Sequence, residues 1–181
     1  MVSFEDRQFL LQVARRTLTT YLRAGQWPVL QTDKPGLLEP RAVFVTLRMR
    51  ATGEVRGCRG ETQARHPLIE AVAQMTIASA IDDPRFLPVK VKDIPVLHIE
   101  INALTPLVPI QPHEIEVGRH GLMIVKDNDA GLLLPEVAVR YGWDAATFLR
   151  AVCRKAGLKE GDWMAEDANL FGFEAEVWGE E

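Results

Sequence analysis

The sequence predicts an α+β fold: a single domain over residues 1–181, with two lobes, in which mostly antiparallel sheets built on two hairpins are covered by four to five helices. Three observations lead there. A strand-like alternation turns back on itself and runs into a helix twice, at residues 43–81 and 121–139. Capped helical periodicity fills several of the stretches around these hairpins. Finally, 181 residues with 47% apolar and 25% charged content suit one well-buried globular domain.

The first element is a helix over residues 4–24, where Phe4, Leu11, Ala14, Leu18 and Leu22 recur at helical intervals. Ser3 with Asp6 resembles a capping box, and Gly25 stands where a left-handed C-cap is needed. Residues 26–41 hold Pro28, Pro35, Gly36 and Pro40 and read as an ordered loop. Val43, Val45, Leu47 and Met49 then alternate with Phe44, Thr46, Arg48 and Arg50 as a strand. A turn at residues 51–54 returns the chain as a second arm over residues 55–58, putting Cys58 at or just past a strand end. Pro67 opens a helix to about Ile81, with Leu68, Val72, Met75 and Ser79 on one face, and Asp82-Asp83-Pro84 ends it.

Residues 96–103 form a strong strand whose polar face is His98, Glu100 and Asn102, read as a solvated sheet face. Pro106, Pro109 and Pro112 make residues 104–113 an extended connection. The second hairpin joins residues 121–126 to residues 131–134 across a turn at 127–130. Pro135 opens a short helix to Val139, and Asp144 caps another from Ala145 to Ala156, ended by Gly157. Cys153 falls on the apolar stripe of that helix with Phe148, Leu149 and Val152. The last strand, residues 170–178, buries Phe171, Phe173, Ala175 and Val177. The recurrence of hairpin-then-helix suggests an internal duplication, which the low identity between the halves does not by itself establish.

Composition removes several functions. A net charge of −4 and a pI near 5.6 disfavour a nucleic-acid binder, although Arg41, Arg48, Arg50, Arg56 and Arg59 would suffice for a local basic patch. No apolar run is long enough to span a membrane, and the N-terminus lacks the basic start and apolar core of a signal peptide. Two cysteines 95 positions apart, without an export signal, suggest free thiols in the cytoplasm. There is no P-loop, dinucleotide-binding glycine pattern, nucleophile elbow or zincin motif. The four histidines and two cysteines do not approach zinc-finger spacing, so no metal site is assigned, and cofactors stay open.

What chemistry remains centres on Val55-Arg56-Gly57-Cys58-Arg59-Gly60. Two glycines around a cysteine imply either backbone conformations other residues reach poorly or a backbone that something approaches closely. Two guanidinium groups beside a thiol favour the nucleophilic thiolate. The plainer alternative is a tight turn or bulge with a small buried cysteine. His120, between Gly118 and Gly121 just before a strand, is the candidate base, or else a turn histidine bonding backbone. The candidate catalytic residues are therefore Cys58 and His120. Arg56 and Arg85 are candidates to hold an anionic substrate, with Gly57 and Gly60 offering N–H groups to an oxyanion. Glu136 is a further candidate for the substrate, although a carboxylate in the first turn of a helix already suits the dipole. Asp82, Asp83 and Arg85 read equally as a helix-end ion pair or an anion-binding corner.

These motifs together resemble the AMMECR-one domain family, which includes the protein-A component of AmmeMemoRadiSam systems. The hallmark Leu-Arg-Gly-Cys-Ile-Gly stands here as residues 55–60, with Val55 and Arg59 departing from it. Further matches are Ser79-Ala80, Asp83-Pro84-Arg85-Phe86, Ile99-Glu100-Ile101, Leu104-Thr105-Pro106 and Val117-Gly118-Arg119-His120-Gly121-Leu122. Leu134-Pro135-Glu136-Val137-Ala138, Gly142-Trp143-Asp144, the run from Phe148-Leu149 to Leu158, and Trp163 complete it, in order, over residues 5–178. The resemblance implies an α+β domain with a larger and a smaller lobe and motif residues gathered near a cleft. It implies no established activity. It also implies partners, a Memo-like protein and a radical S-adenosylmethionine enzyme, in a pathway whose substrate is unknown. Within it the chain is expected either to use Cys58 as nucleophile or thiol carrier, or to serve as a non-catalytic scaffold or substrate-presenting subunit. Arg59, in place of an apolar residue, is expected to add charge beside Cys58 or simply to point to solvent.

Overall fold

A computed structural model describes residues 1–181. In chain order the elements are α1 (Phe4–Ala24), α2 (Pro35–Leu38), β1 (Val43–Met49), β2 (Val55–Gly60), α3 (Leu68–Ile81), β3 (Leu97–Leu104), β4 (Val108–Pro109), β5 (Gly121–Lys126), β6 (Asp129–Leu133), α4 (Pro135–Tyr141), α5 (Ala145–Lys155), β7 (Asn169–Phe173) and β8 (Ala175–Gly179). Short 3-10 turns at Val91–Val96, Pro112–Glu114 and Asp162–Met164 lie between them. The fold is α+β with two four-stranded antiparallel sheets, as expected. No helix is long and apolar enough to cross a membrane.

The chain forms two compact units, Met1–Ala103 with Glu176–Glu181, and Leu104–Ala175. In the first unit the sheet runs β2-β1-β3-β8. Val43, Val45 and Leu47 of β1 and Leu97, Ile99 and Ile101 of β3 present one fully buried face to α1 and α3. α1 is capped as its sequence requires: the Ser3 hydroxyl accepts the Asp6 N–H, and Gly25 closes the helix in the left-handed region. Its buried stripe is Leu10, Leu11, Val13, Ala14, Thr17 and Leu18, whereas Phe4, expected on that stripe, is exposed in the first turn. The C-terminal segment is tied to this unit by two carboxylates. Glu176 takes the Val2 N–H, Arg7 and Arg41, while Glu180 takes Arg15, Arg50 and the Ile99 N–H.

In the second unit the sheet runs β4-β7-β5-β6 over a core of Leu122, Ile124, Phe148, Val152 and Cys153. Cys153 is fully buried on α5, as its stripe requires. The hairpin is tighter than expected, since β6 starts at Asp129 and Asp127 takes the positive φ of 53°. The stretch expected as one last strand is two. β7 belongs to the second sheet and β8 to the first, so Phe173 is buried while Val177 is 48% exposed.

Candidate functional site

Cys58 lies inside β2, two residues short of its end, and not at or past the strand end. The two glycines around it are not turn residues either. Neither Gly57 nor Gly60 has a positive φ, so it is close approach that demands them. A Cβ at Gly57 would overlap the Ser79 carbonyl oxygen of α3, and one at Gly60 would overlap the Phe44 ring.

The closeness of α3 to β2 lets its last turn reach into the sheet. β2 is an edge strand, with Thr46↔Cys58 and Val45↔Arg59 opposite each other across the pair with β1. At the second of these positions the Ser79 hydroxyl is inserted in the ladder. It accepts the Arg59 N–H at 2.8 Å and donates to the Val45 carbonyl at 2.7 Å. One residue earlier, the Cys58 N–H points outward and donates to Asp83 Oδ2 at 2.8 Å. Both backbone donors between the two glycines are thus spoken for by side chains, which leaves neither of them for an oxyanion.

Asp83 is the hub of this arrangement. It is 5% exposed, and besides Cys58 it accepts the Arg85 N–H at 3.1 Å and the Arg85 guanidinium through both oxygens, at 3.0 and 2.7 Å. The guanidinium, helped by the backbone N–H groups and working against burial, holds the Asp83 carboxyl well below the usual carboxylate range. Arg85 is pushed above its ordinary value, first by Asp83 and to a smaller extent by Cys58 nearby. Its side chain is 61% exposed and lies over the Phe86 ring. Asp82 is the C-cap of α3 and takes no part.

The Cys58 sulfur emerges on the face of the sheet opposite α3, half-buried, and accepts the Thr46 hydroxyl at 3.3 Å. Arg59 leaves from the other face because successive strand residues alternate, so its charge does not lie beside the sulfur. Arg56 is the extra residue of a bulge: Leu47 pairs with Gly57 and Arg48 with Val55, and nothing on β1 stands opposite Arg56.

The remaining candidates lie elsewhere. His120 belongs to the second unit, where its Nδ1 accepts the Glu116 N–H at 3.1 Å within a turn. Glu136 sits exposed in the first turn of α4, also in the second unit. The structure therefore gathers Arg56, Gly57, Cys58, Gly60 and Arg85 on or against β2, and puts His120 and Glu136 in the other unit. No group of three or more His, Cys, Asp or Glu side chains is arranged to hold a metal. The arginines expected to form a basic patch are largely neutralised: Arg48 pairs with Glu100, Arg50 with Glu180 and Arg41 with Glu176.

Ser79 stood in the sequence as part of the Ser79-Ala80 match and on one face of the helix, but without a role at Cys58. Thr46 carried no signal, being one polar residue in an alternating strand.

A family model described as AMMECR1 matches residues 11–178. Protein PH0010 of Pyrococcus horikoshii is 41% identical, over 96% of this chain and 89% of its own length. Protein MK0488 of Methanopyrus kandleri is 37% identical, over 99% of this chain and 91% of its own. The crystal structure of PH0010, titled as an uncharacterized protein, superposes with a TM-score of 0.83 over 96% of this chain and 90% of that one.

Proposed function

The chain belongs to the AMMECR1 family, and from that premise we propose that it is one component of a pathway shared with a Memo-like protein and a radical S-adenosylmethionine enzyme. In this reading Cys58 serves as a nucleophile or transient thiol carrier for an anionic substrate. Both cysteines are free, which suits a reducing compartment such as the cytoplasm. The supporting observation is the way Cys58 is held. Its backbone is fixed by the buried Asp83, which also binds Arg85, while its sulfur is left half-exposed beside the Thr46 hydroxyl. A thiol on backbone hydrogen-bonded to a buried carboxylate, which in turn holds a mostly exposed guanidinium, suits repeated covalent loading better than packing. Cys58→Ser, shown by circular dichroism to fold, should abolish formation of the pathway's product in cells. Undiminished product would remove the reading.

A second reading, a non-catalytic scaffold or substrate-presenting subunit, is favoured by one observation. The hydrogen bonds of Cys58 join it to Thr46 and Asp83, with no imidazole among them. Here the braced strand is a rigid ledge for docking. Co-elution of the purified chain with either partner at micromolar concentration, unchanged in Cys58→Ser, is its expected result.

A further inference from the structure

Of the two β2 arginines, Arg59 is exposed and Arg56 is half-buried. Arg48 on the neighbouring strand and Arg50 in the turn after it both hold carboxylates, and Arg85 holds Asp83. The Arg56 side chain is half-buried and has neither a hydrogen-bond nor an ion-pair partner. A half-buried guanidinium without a protein acceptor keeps its donors available to a ligand. It is also the bulge residue of β2, and bulges re-aim side chains. Arg56 lines a cavity of about 310 Å³ together with Lys90, Lys92 and Asp93, and with apolar walls that include Met49 and the 83%-exposed Leu87.

We infer that this cavity is the binding site for a small phosphate monoester carrying an apolar segment. Three cations and one carboxylate line it, an excess of two positive charges. A phosphate monoester near neutral pH carries a charge of about −1.5 to −2, which matches that excess, whereas a carboxylate carries half of it. Arg56 supplies the planar fork that binds two phosphate oxygens at once, and the lysines supply mobile point charges. Met49 and Leu87 offer apolar surface to the remainder of the molecule. The inference deepens the reading above by naming a substrate class; only the link to Cys58, two residues along the same strand, rests on that reading, and the binding itself does not.

The test is calorimetric titration of the full chain with inorganic phosphate, hexyl phosphate and hexanoate, at low and moderate salt. Hexyl phosphate should bind with one-to-one stoichiometry, more tightly than inorganic phosphate and at least about tenfold more tightly than hexanoate. Arg56→Gln and the double variant Lys90→Gln/Lys92→Gln should each weaken it about tenfold or more. Since Arg56 has no partner to lose, Arg56→Gln should unfold at the native temperature or slightly above it. Equal affinity for hexanoate, or binding in Arg56→Gln within twofold of native, would overturn the site. Cys58→Ser separates the two ideas. Native hexyl phosphate affinity in that variant supports a binding site independent of thiol chemistry, even where Cys58 proves to have none. Lost affinity there, with the fold intact, overturns the assignment of binding to the Arg56 cavity.

Discussion

The two hairpins of this chain are built on one plan and closed by different chemistry. In both sheets the second arm is at the edge, the first arm lies inside, and the next long strand after the helices pairs antiparallel with the first arm. In both, a glycine on the second arm lets a helix end touch the backbone. A Cβ at Gly57 would overlap the Ser79 carbonyl at the end of α3, and one at Gly131 would overlap Ala156 just after α5. The difference is what each helix end carries. α3 brings a hydroxyl into the ladder, and the loop after it brings a buried carboxylate to the strand edge. α5 brings Cys153 and Ala156, which are apolar packing. Shared glycines thus reveal only that helix and edge strand are close. The polar groups that close the first edge distinguish a place where chemistry can be held.

The severest way to break the comparison is to fill both glycines. Gly57→Ala and Gly131→Ala each force a methyl against backbone that no rotamer change can clear, costing on the order of 3 kcal/mol in urea unfolding. Their consequences should differ. Gly57→Ala also moves Ser79 and the Asp83–Arg85 pair away from β2, so any folded fraction should alkylate more slowly at Cys58, whose sulfur lies on the other face. Gly131→Ala should leave that rate at the native value. Wild-type stability in Gly57→Ala would show that α3 does not lie against β2 as described.

Next is the inserted hydroxyl. Ser79→Ala strands the Arg59 N–H and the Val45 carbonyl together, two backbone groups with one lost bridge, at a cost of about 2 kcal/mol. The second hairpin has no such bridge at Ala156, so Ala156→Ser should confer no matching gain. A Ser79→Ala loss under about 0.5 kcal/mol would mean that β1 and β2 close directly once the hydroxyl is gone.

What the sequence made legible, and what it hid, follows the same divide between local and non-local causes. The caps of α1 and both hairpins were readable because Ser3, Gly25 and the alternating positions act within a few residues of themselves. The family motif Arg-Gly-Cys-x-Gly was readable too, but its glycines looked like punctuation. Their causes are non-local, the Ser79 carbonyl of α3 for Gly57 and the Phe44 ring of β1 for Gly60, and so Cys58 was expected at a strand end when it lies within the strand. Residues 170–178 alternate without a break, yet Glu174 divides them between two sheets because the pairing partners differ on either side. α2, only four residues long, has too few positions to show a period. Nothing local to Cys58 or His120 says which unit each joins.

A smaller effect, resolvable by pH, isolates Asp83. Its carboxyl titrates below the ordinary value in the folded chain, first because of Arg85. A depressed folded value stabilises above the unfolded value, and that contribution is lost as pH falls through the folded one. Asp83→Asn should therefore be less stable than native at pH 7, by about 1 kcal/mol. The gap between the two should stay level down to about pH 4 and then narrow as acid protonates the Asp83 carboxyl of the unfolded chain while the folded one stays ionised. A gap that persists unchanged to pH 3 would assign the Asp83 contribution to shape and not to charge.

The finest discrimination is between the two thiols. Cys153 is fully buried and burial pushes its thiol up, so under native conditions it should resist iodoacetamide until the second unit opens. Cys58 is half-exposed on a strand whose backbone is pinned, and mass spectrometry should find it modified first, with Cys153 as internal reference. Arg59→Ile then sharpens the comparison within a single strand. Because Arg59 projects from the face opposite the sulfur, its removal should change the Cys58 rate by less than about twofold. Arg85→Gln removes the guanidinium that Asp83 holds against the Cys58 backbone and should slow the reaction by more than Arg59→Ile does. Equal slowing in both variants would mean that the alternation of β2 does not separate the two charges, and that the site senses its whole surface and not one face of its edge strand.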